Sequence, residues 1–401
     1  MTVTRVALVA HASLPDDPRV RRQAEALRDA GYEVDLFGLR DPGQAAIEDW
    51  DGLRIIRLPV RRAFTGFAGH LGEYLAFAAL AAVRLAAEHR RRHYRLVQVA
   101  TLPDFLAFAA LPVRLTGVPL LLDLHEDMPE FYRDRFAGSG LQFLLPLVSG
   151  AARASAAVAD AIITVHQPLR QLAIARGVSA ERISVVMNGA DERLFDATRY
   201  PTHAFMADGR VRLLHHSNLQ RIYGLDVAIE AVALLDPGLG AHLDVYGDGP
   251  FRGEIEAAID RQAAGDRVTL HGRVTLDSLP ALLAGADIGL VPTRPEPYLE
   301  YSLSTKLMEY VAMGVPVIAS DLRTFRAHFD DRAIRYVRGN DPRALADAIT
   351  ALAADPLAAE AQADEARRQA EGYAWTVQAP HYLAVVESLL ARGRLVASGG
   401  V

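Results

Sequence analysis

The chain predicts an α/β protein built from two doubly wound parallel sheets, and three observations carry that reading. Short apolar runs alternate with amphipathic helical stretches, the alternation restarts near residue 188, and 401 residues exceed what one ordinary core holds. At 51% hydrophobic and 23% charged, the composition is that of a folded soluble protein. Two βα arrays imply two domains, each with helices on both faces of its sheet, and a crevice between them as the default ligand site.

The first array reads as strands over 3–10, 33–37, 53–58, 96–100, 118–122, 161–165 and 183–186, with helices between them such as 19–30. It closes at Met187-Asn188-Gly189-Ala190-Asp191, where Asn-Gly is a turn signal. The second array has strands over 211–215, 242–246, 268–270, 288–291, 315–319 and 334–337, with helices among them over 224–234 and 343–353. A last helix over about 377–392 follows Tyr373-Ala374-Trp375-Thr376, and the tail Ser398-Gly399-Gly400 is read as loose.

Charge and composition exclude some classes. A net charge of -6 and a pI near 6.1 argue against a nucleic-acid surface spread over the protein. Zero cysteines exclude disulfides and thiolate metal sites and fit a cytoplasmic enzyme, and the N-terminus enters an alternating apolar run with no signal-peptide pattern. The most apolar stretch, 71–87, is broken by Glu73 and Arg84 and reads as a buried or surface-lying helix. His89-Arg90-Arg91-Arg92-His93 follows it. With the aromatic-rich segment from Phe64 to Phe77, that cluster suits either anionic lipid head groups or a solvated helix end.

Of 43 basic residues only Lys306 is a lysine, in Ser304-Thr305-Lys306-Leu307-Met308-Glu309-Tyr310. Arginine serves every other basic position, so the exception suggests a need for a compact ammonium. Ser304 is an N-cap candidate, and a cation in the first turn of a helix opposes its dipole unless an anion sits there. A phosphate on the free N–H groups answers that need, with Thr305, Lys306 and Glu309 on one face. Thr305 and Glu309 are about 6 Å apart along the axis, roughly the step from a diphosphate to its ribose, so Glu309 is placed to hold sugar hydroxyls. A capped amphipathic helix with a chance lysine is the plain alternative.

With these motifs placed, the chain resembles the retaining glycosyltransferases of family 4, which have the GT-B fold of two Rossmann-like domains. The matching strings are Asp17-Pro18-Arg19-Val20-Arg21-Arg22, Leu102-Pro103-Asp104-Phe105, Asp123-Leu124-His125-Glu126-Asp127-Met128-Pro129-Glu130, Val186-Met187-Asn188-Gly189-Ala190-Asp191, Arg221-Ile222-Tyr223-Gly224-Leu225-Asp226, Tyr246-Gly247-Asp248-Gly249-Pro250 and the segment from Lys306 to Ile318. They occur in the family's order along nearly the whole chain. The resemblance implies an acceptor-binding domain over 1–187, joined by a C-terminal helix within 375–401, and a donor-binding domain over 188–374.

It further implies transfer of a hexose-type sugar from a nucleotide-sugar donor to a hydroxyl of a glycan, lipid-linked or small-molecule acceptor. No cofactor or metal is needed: no Asp-x-Asp pair stands in a convincing loop, and Asp16-Asp17 and Asp330-Asp331 read as turn or cap residues. No nucleic acid is a partner, and peripheral contact with the inner face of the cell membrane stays open. Lys306, Arg221 and His125 are the expected catalytic residues. Glu309, Ser304, Thr305, Glu300, Tyr301, Arg273 and Gly247 are expected at the donor, and Asp104, Glu126, Asp127 and Arg19 at the acceptor. In a transfer of this class the departing phosphate takes the acceptor proton, so no carboxylate pair at glycosidase spacing is demanded.

The chain departs from the family pattern at Tyr301, where a second glutamate is common, at Asn218 and Tyr223 in the diphosphate loop, and at Ala100, where a histidine often stands. A nucleotide-sugar epimerase of the same fold, or a donor-binding protein without turnover, therefore remain alternatives. A dinucleotide oxidoreductase does not fit, because no Gly-x-Gly-x-x-Gly follows either opening strand.

Overall fold

The computed structural model describes residues 3–398 apart from 61, 63–66, 137, 139 and 202. Phe64 and the tail residues Gly399 and Gly400 lie outside the described residues, so the expectations placed on them are not taken further. The chain forms two compact units, one of Met1–Asn188 with Thr376–Val401, the other of Gly189–Trp375.

The first unit is an eight-stranded sheet of β1 (Arg5–Ser13), β2 (Glu33–Leu39), β3 (Ile47–Trp50), β4 (Leu53–Leu58), β5 (Leu96–Ala100), β6 (Leu120–Leu124), β7 (Ala161–Thr164) and β8 (Ile183–Val185), in the order β3-β4-β2-β1-β5-β6-β7-β8. All its pairs are parallel except β3 with β4. That antiparallel edge was not expected. Its residues Ile47, Glu48 and Asp49 are exposed, so β3 has no buried face to leave an alternating pattern. β1 extends past the expected 3–10 to Ser13, resuming its pairing with Leu39 after an irregularity, and the polar residues His11 and Ser13 hide this continuation from a hydrophobic count.

The second unit is six parallel strands, β9 (Arg212–His216), β10 (His242–Tyr246), β11 (Val268–Gly272), β12 (Ile288–Val291), β13 (Val317–Ser320) and β14 (Arg335–Val337), in the order β11-β10-β9-β12-β13-β14. β12 and β13 pair and are buried on both faces, which explains their unbroken apolar runs, while β14 at the sheet edge exposes Arg335. In each sheet the strand order reverses once, between β1 and β5 and between β9 and β12. Ligands of open α/β sheets bind outside the carboxyl ends of strands at such reversals.

The closing helix, Trp375–Ser398, starts two residues before its expected position and carries Pro380 inside it. Its side chains Tyr382, Val386 and Leu389 are buried. Tyr382 donates from its hydroxyl to Gln98 Oε1 (2.7 Å), and the Met187 N–H donates to Gln378 Oε1 (2.9 Å). Those bonds explain why residues from Thr376 onward belong to the first unit. Among the described residues two helical stretches, Ala68–Arg92 and Gly140–Val158, are long and apolar enough to cross a membrane by length and composition. The Phe67–Arg92 helix packs Phe77, Ala81 and Leu85 into the core of the first unit and leaves Leu75, Leu80 and Val83 exposed. Arg92 is not a free basic residue at its end, because its guanidinium pairs with Glu33 (3.0 Å) and Asp35 (2.8 Å).

Candidate active site

In the second unit the reversal between β9 and β12 is filled from the Thr305–Met313 helix. Leu307, Met308, Tyr310 and Val311 are buried and hold the helix on the sheet, and Gly314 ends it in the left-handed conformation (φ 71°). Ser304 occupies the N-cap position with extended backbone, but its hydroxyl makes no capping bond and Oγ is buried without a partner. The expected serine cap is thus absent in its usual sense. Its first-turn N–H groups lack intrahelical acceptors, so an orphan hydroxyl and unspent donors share one helix start.

Thr305, Lys306 and Glu309 do not form one solvent-facing row. Thr305 is exposed, while Lys306 is 7% exposed and turned inward, with Nζ 3.6 Å from the centre of the Tyr223 ring. Burial pulls the ammonium down to about 8, against the attraction of Glu309. Burial pushes the Glu309 carboxyl up to about 7, with Lys306 opposing. Glu309 Oε2 also lies 3.3 Å from His216 Nε2. His216 ends β9 and is held neutral by burial and by Lys306, as is His215, which is down to about 3. Sequence reasoning missed this pair, although a His-His step at the carboxyl end of a strand was the available signal.

The other expected donor residues divide. Gly247 follows β10 at φ 138°, and a Cβ there would stand 1.8 Å from the Ser217 carbonyl, so only glycine lets this loop rest on the loop after β9. Arg221 precedes Tyr223 and is largely exposed, with Nη1 3.8 Å from Glu296. Arg273 is 79% exposed and approaches Asp248 only to 3.9 Å. Glu300 and Tyr301 are both occupied by Arg323: the Arg323 N–H donates to Glu300 Oε2 (2.7 Å) and its guanidinium to the Tyr301 hydroxyl (3.1 Å). These two side chains fix a neighbouring turn.

In the first unit the reversal between β1 and β5 holds a cavity of about 180 Å³, lined by His11, Asp17, Arg19, Tyr74, Thr101, His125 and Glu126 among others. Arg19 is held by Asp17 (2.9 Å), which also caps the Pro18–Asp29 helix. His125 Nε2 lies 2.8 Å from Asp123, itself fixed by Gln23 (2.8 Å), and His125 Nδ1 has no partner. A second histidine, unforeseen, faces the same space: His11 Nε2 lies 3.0 Å from the buried Glu73. Burial holds His11 below the ordinary histidine range despite Glu73. Asp104 and Asp127 are not brought to this cavity. They line another, of about 540 Å³, on the far side of the same two loops. The separation has a simple cause: Asp127 caps the Met128–Arg135 helix and pairs with Arg176 (2.7 Å), which turns it away from its neighbours His125 and Glu126.

Comparison with known proteins decides the family. The description Glycosyl transferase 4-like domain matches residues 17–189, and Glycosyl transferases group 1 matches residues 210–355. The chain belongs to the group 1, family-4-like glycosyltransferases. This glycosyltransferase is 28% identical over 319 residues to the 2-deoxystreptamine glucosyltransferase of Streptomyces kanamyceticus, covering 75% of this chain and 79% of that one. It is 26% identical over 382 residues to the D-inositol 3-phosphate glycosyltransferase of an Arthrobacter species, covering 89% and 86%. Its fold is GT-B. The sucrose-phosphate synthase of Thermosynechococcus elongatus superposes with a TM-score of 0.78 at 22% identity, covering 97% of this chain and all of that one. Anabaena HepE in complex with UDP gives 0.73 at 16% identity, covering 96% and 100%.

Proposed function

We propose that this glycosyltransferase moves a hexose from a nucleoside diphosphate sugar to a hydroxyl of a small cyclic polyol, with retention at the anomeric carbon. One observation carries the donor half of this reading: a buried lysine and a half-buried glutamate stand at a helix start whose serine hydroxyl has no partner and whose first-turn N–H groups have no intrahelical acceptor. The diphosphate rests on the N–H groups of Ser304 and Thr305, with Lys306 and Arg221 as counter-charges, and Glu309 accepts from the ribose hydroxyls. In the reaction the bond from the anomeric carbon to the diphosphate oxygen breaks, the bond to the acceptor oxygen forms, and the acceptor proton passes to the departing phosphate. No metal enters this scheme.

The acceptor half rests on the cavity at β1 and β5. At about 180 Å³ it is smaller than a drug-sized pocket, and it suits a single ring more than an extended glycan. His11, His125, Arg19 and Glu126 supply hydrogen bonds for ring hydroxyls. Relatives named for 2-deoxystreptamine and D-inositol 3-phosphate support a cyclitol-sized acceptor.

Thermal shift with UDP, GDP, ADP and dTDP tests the donor site, because a bound nucleotide stabilises by mass action. One nucleotide is expected to raise the melting temperature clearly above the rest. Glu309→Ala is expected to lose most of that shift, and Lys306→Ala to slow transfer more than it weakens binding. Parent-like behaviour of both variants would remove the assignment. A new glycosidic product from donor plus cyclitol separates transfer from epimerisation and from binding without turnover.

A further inference from the structure

The 540 Å³ cavity of the first unit lies apart from the β1–β5 cavity, and the proposed transfer uses neither its walls nor its charges. It is walled by β6, β7 and the helices Leu145–Val158 and Gln167–Ala175, and its apolar lining includes Leu122, Leu124, Ala156, Ile162 and Ala173. Two polar groups in this lining are unspent. Asp104 is 5% exposed with Oδ1 unbonded, and Ser155 is fully buried with Oγ unbonded.

The sign of the missing partner follows from how the other charges are used. Arg176 is divided between Asp127 (2.7 Å) and Glu130 (2.8 Å), and Arg133 is taken by Glu130. Arg182 donates to the carbonyls of Ala156 and Ala159. Arg176 and Arg182 are therefore spent within the protein and the fourth lining arginine, Arg153, is exposed, whereas no bond reaches the buried Asp104 Oδ1. A buried carboxylate without a partner is costly, and a neutral hydroxyl offsets less of that cost than a cation does. Burial first, then Asp127 and Glu126, push Asp104 up to about 7 against the pull of Arg176, which is how a carboxyl waiting for a counter-charge behaves.

We infer that this cavity binds a small organic cation, an ammonium carried on an apolar ring or chain, with Asp104 as its counter-charge and Ser155 as a second acceptor. The ligand's apolar body fills the aliphatic space between sheet and helices. The same two loops serve both cavities: Leu102 and His125 face the smaller one, Asp104 and Leu124 the larger. An occupant of the larger cavity thus steadies the loops that line the smaller.

Three probes of one shape test this on the full chain by calorimetric titration at pH 8: cyclohexylamine, cyclohexanol and cyclohexanecarboxylate. The amine is expected to bind at least tenfold more tightly than the alcohol, and the carboxylate not at all. Asp104→Asn is expected to bring the amine down to the level of the alcohol while the unliganded melting temperature holds or rises. Between pH 8 and pH 6 the amine should lose about tenfold in affinity in the parent, as Asp104 takes up its proton, and nothing in Asp104→Asn. If Asp104→Asn fails to fold, Ala156→Phe, which fills the cavity with Asp104 intact, is expected to abolish amine binding. Equal affinity for the three probes, no binding of the amine at millimolar concentration, or an amine preference that survives both variants would overturn the inference.

Discussion

Lys306 owes its position to Tyr223 as much as to its own helix. The ring centre 3.6 Å from Nζ supplies the attraction of an aromatic face where water is excluded, a contribution of about 1–2 kcal/mol to the charged form. The loop before the Leu225–Leu234 helix thus supplies an aromatic face that holds the ammonium. Donor binding is then strongest with Glu309 ionised and Lys306 protonated. A carboxyl raised to about 7 loses its charge as pH falls through that value, and an ammonium lowered to about 8 loses its proton as pH rises through that one. Nucleotide binding is expected to peak between about pH 7 and 8 and to fall on both sides. Tyr223→Phe should keep the profile, whereas Tyr223→Leu should move its alkaline limb lower by about one pH unit; titration calorimetry across pH checks both. Lys306 and Glu309 were legible because one is unique in the chain and the other is spaced from it by a helical turn. His216, His11 and Glu73 were not, since their roles depend on which strand ends and helices meet, and no local spacing reports that.

At the scale of elements, loops after strands do the placing. Gly247 permits the close approach of the β10 and β9 loops, and any side chain there meets both a 1.8 Å contact and a backbone conformation few residues adopt. Gly247→Ala is expected to cost about 2–3 kcal/mol, lowering the melting temperature of the second unit by several degrees and weakening the nucleotide-induced shift. Gly253→Ala is the control. It lies in the Arg252–Arg261 helix with open space around it, and there alanine should stabilise by about 1 kcal/mol. Differential scanning calorimetry of the two variants reads both signs. The central parallel strands such as β5, β12 and β13 were legible because burial on two faces leaves largely apolar runs. The antiparallel β3 was not, because an exposed edge needs no such run. The resemblance placed Asp104 and Asp127 at the acceptor with Glu126 and Arg19, but Asp127, on one loop with His125 and Glu126, is turned into the other cavity by capping and by its pairing with Arg176, and Asp104 lines that cavity too.

For the whole molecule, a net charge of -6 allows only local attraction to an anionic membrane. Leu75, Leu80 and Val83 form an exposed apolar face on the Phe67–Arg92 helix, and of the arginines at its end Arg90 and Arg91 are exposed while Arg92 is spent on Glu33 and Asp35. Two free arginines are worth about 2 kcal/mol at such a surface, so docking there should be weak and reversible. Sedimentation with phosphatidylglycerol vesicles is expected to carry down a salt-sensitive fraction that Val83→Glu with Leu75→Glu removes. Equal recovery with phosphatidylcholine, or with the double variant, would exclude this face.

The helix that closes the first unit is made only after the whole of the second. Residues 189–375 hold everything their own sheet requires, so a nascent chain can complete that half once it clears the ribosome. Gln98 and the Met187 amide must wait for Tyr382 and Gln378, translated 284 and 191 residues later. Of the two units, the one that leaves the tunnel first is therefore the one that matures last.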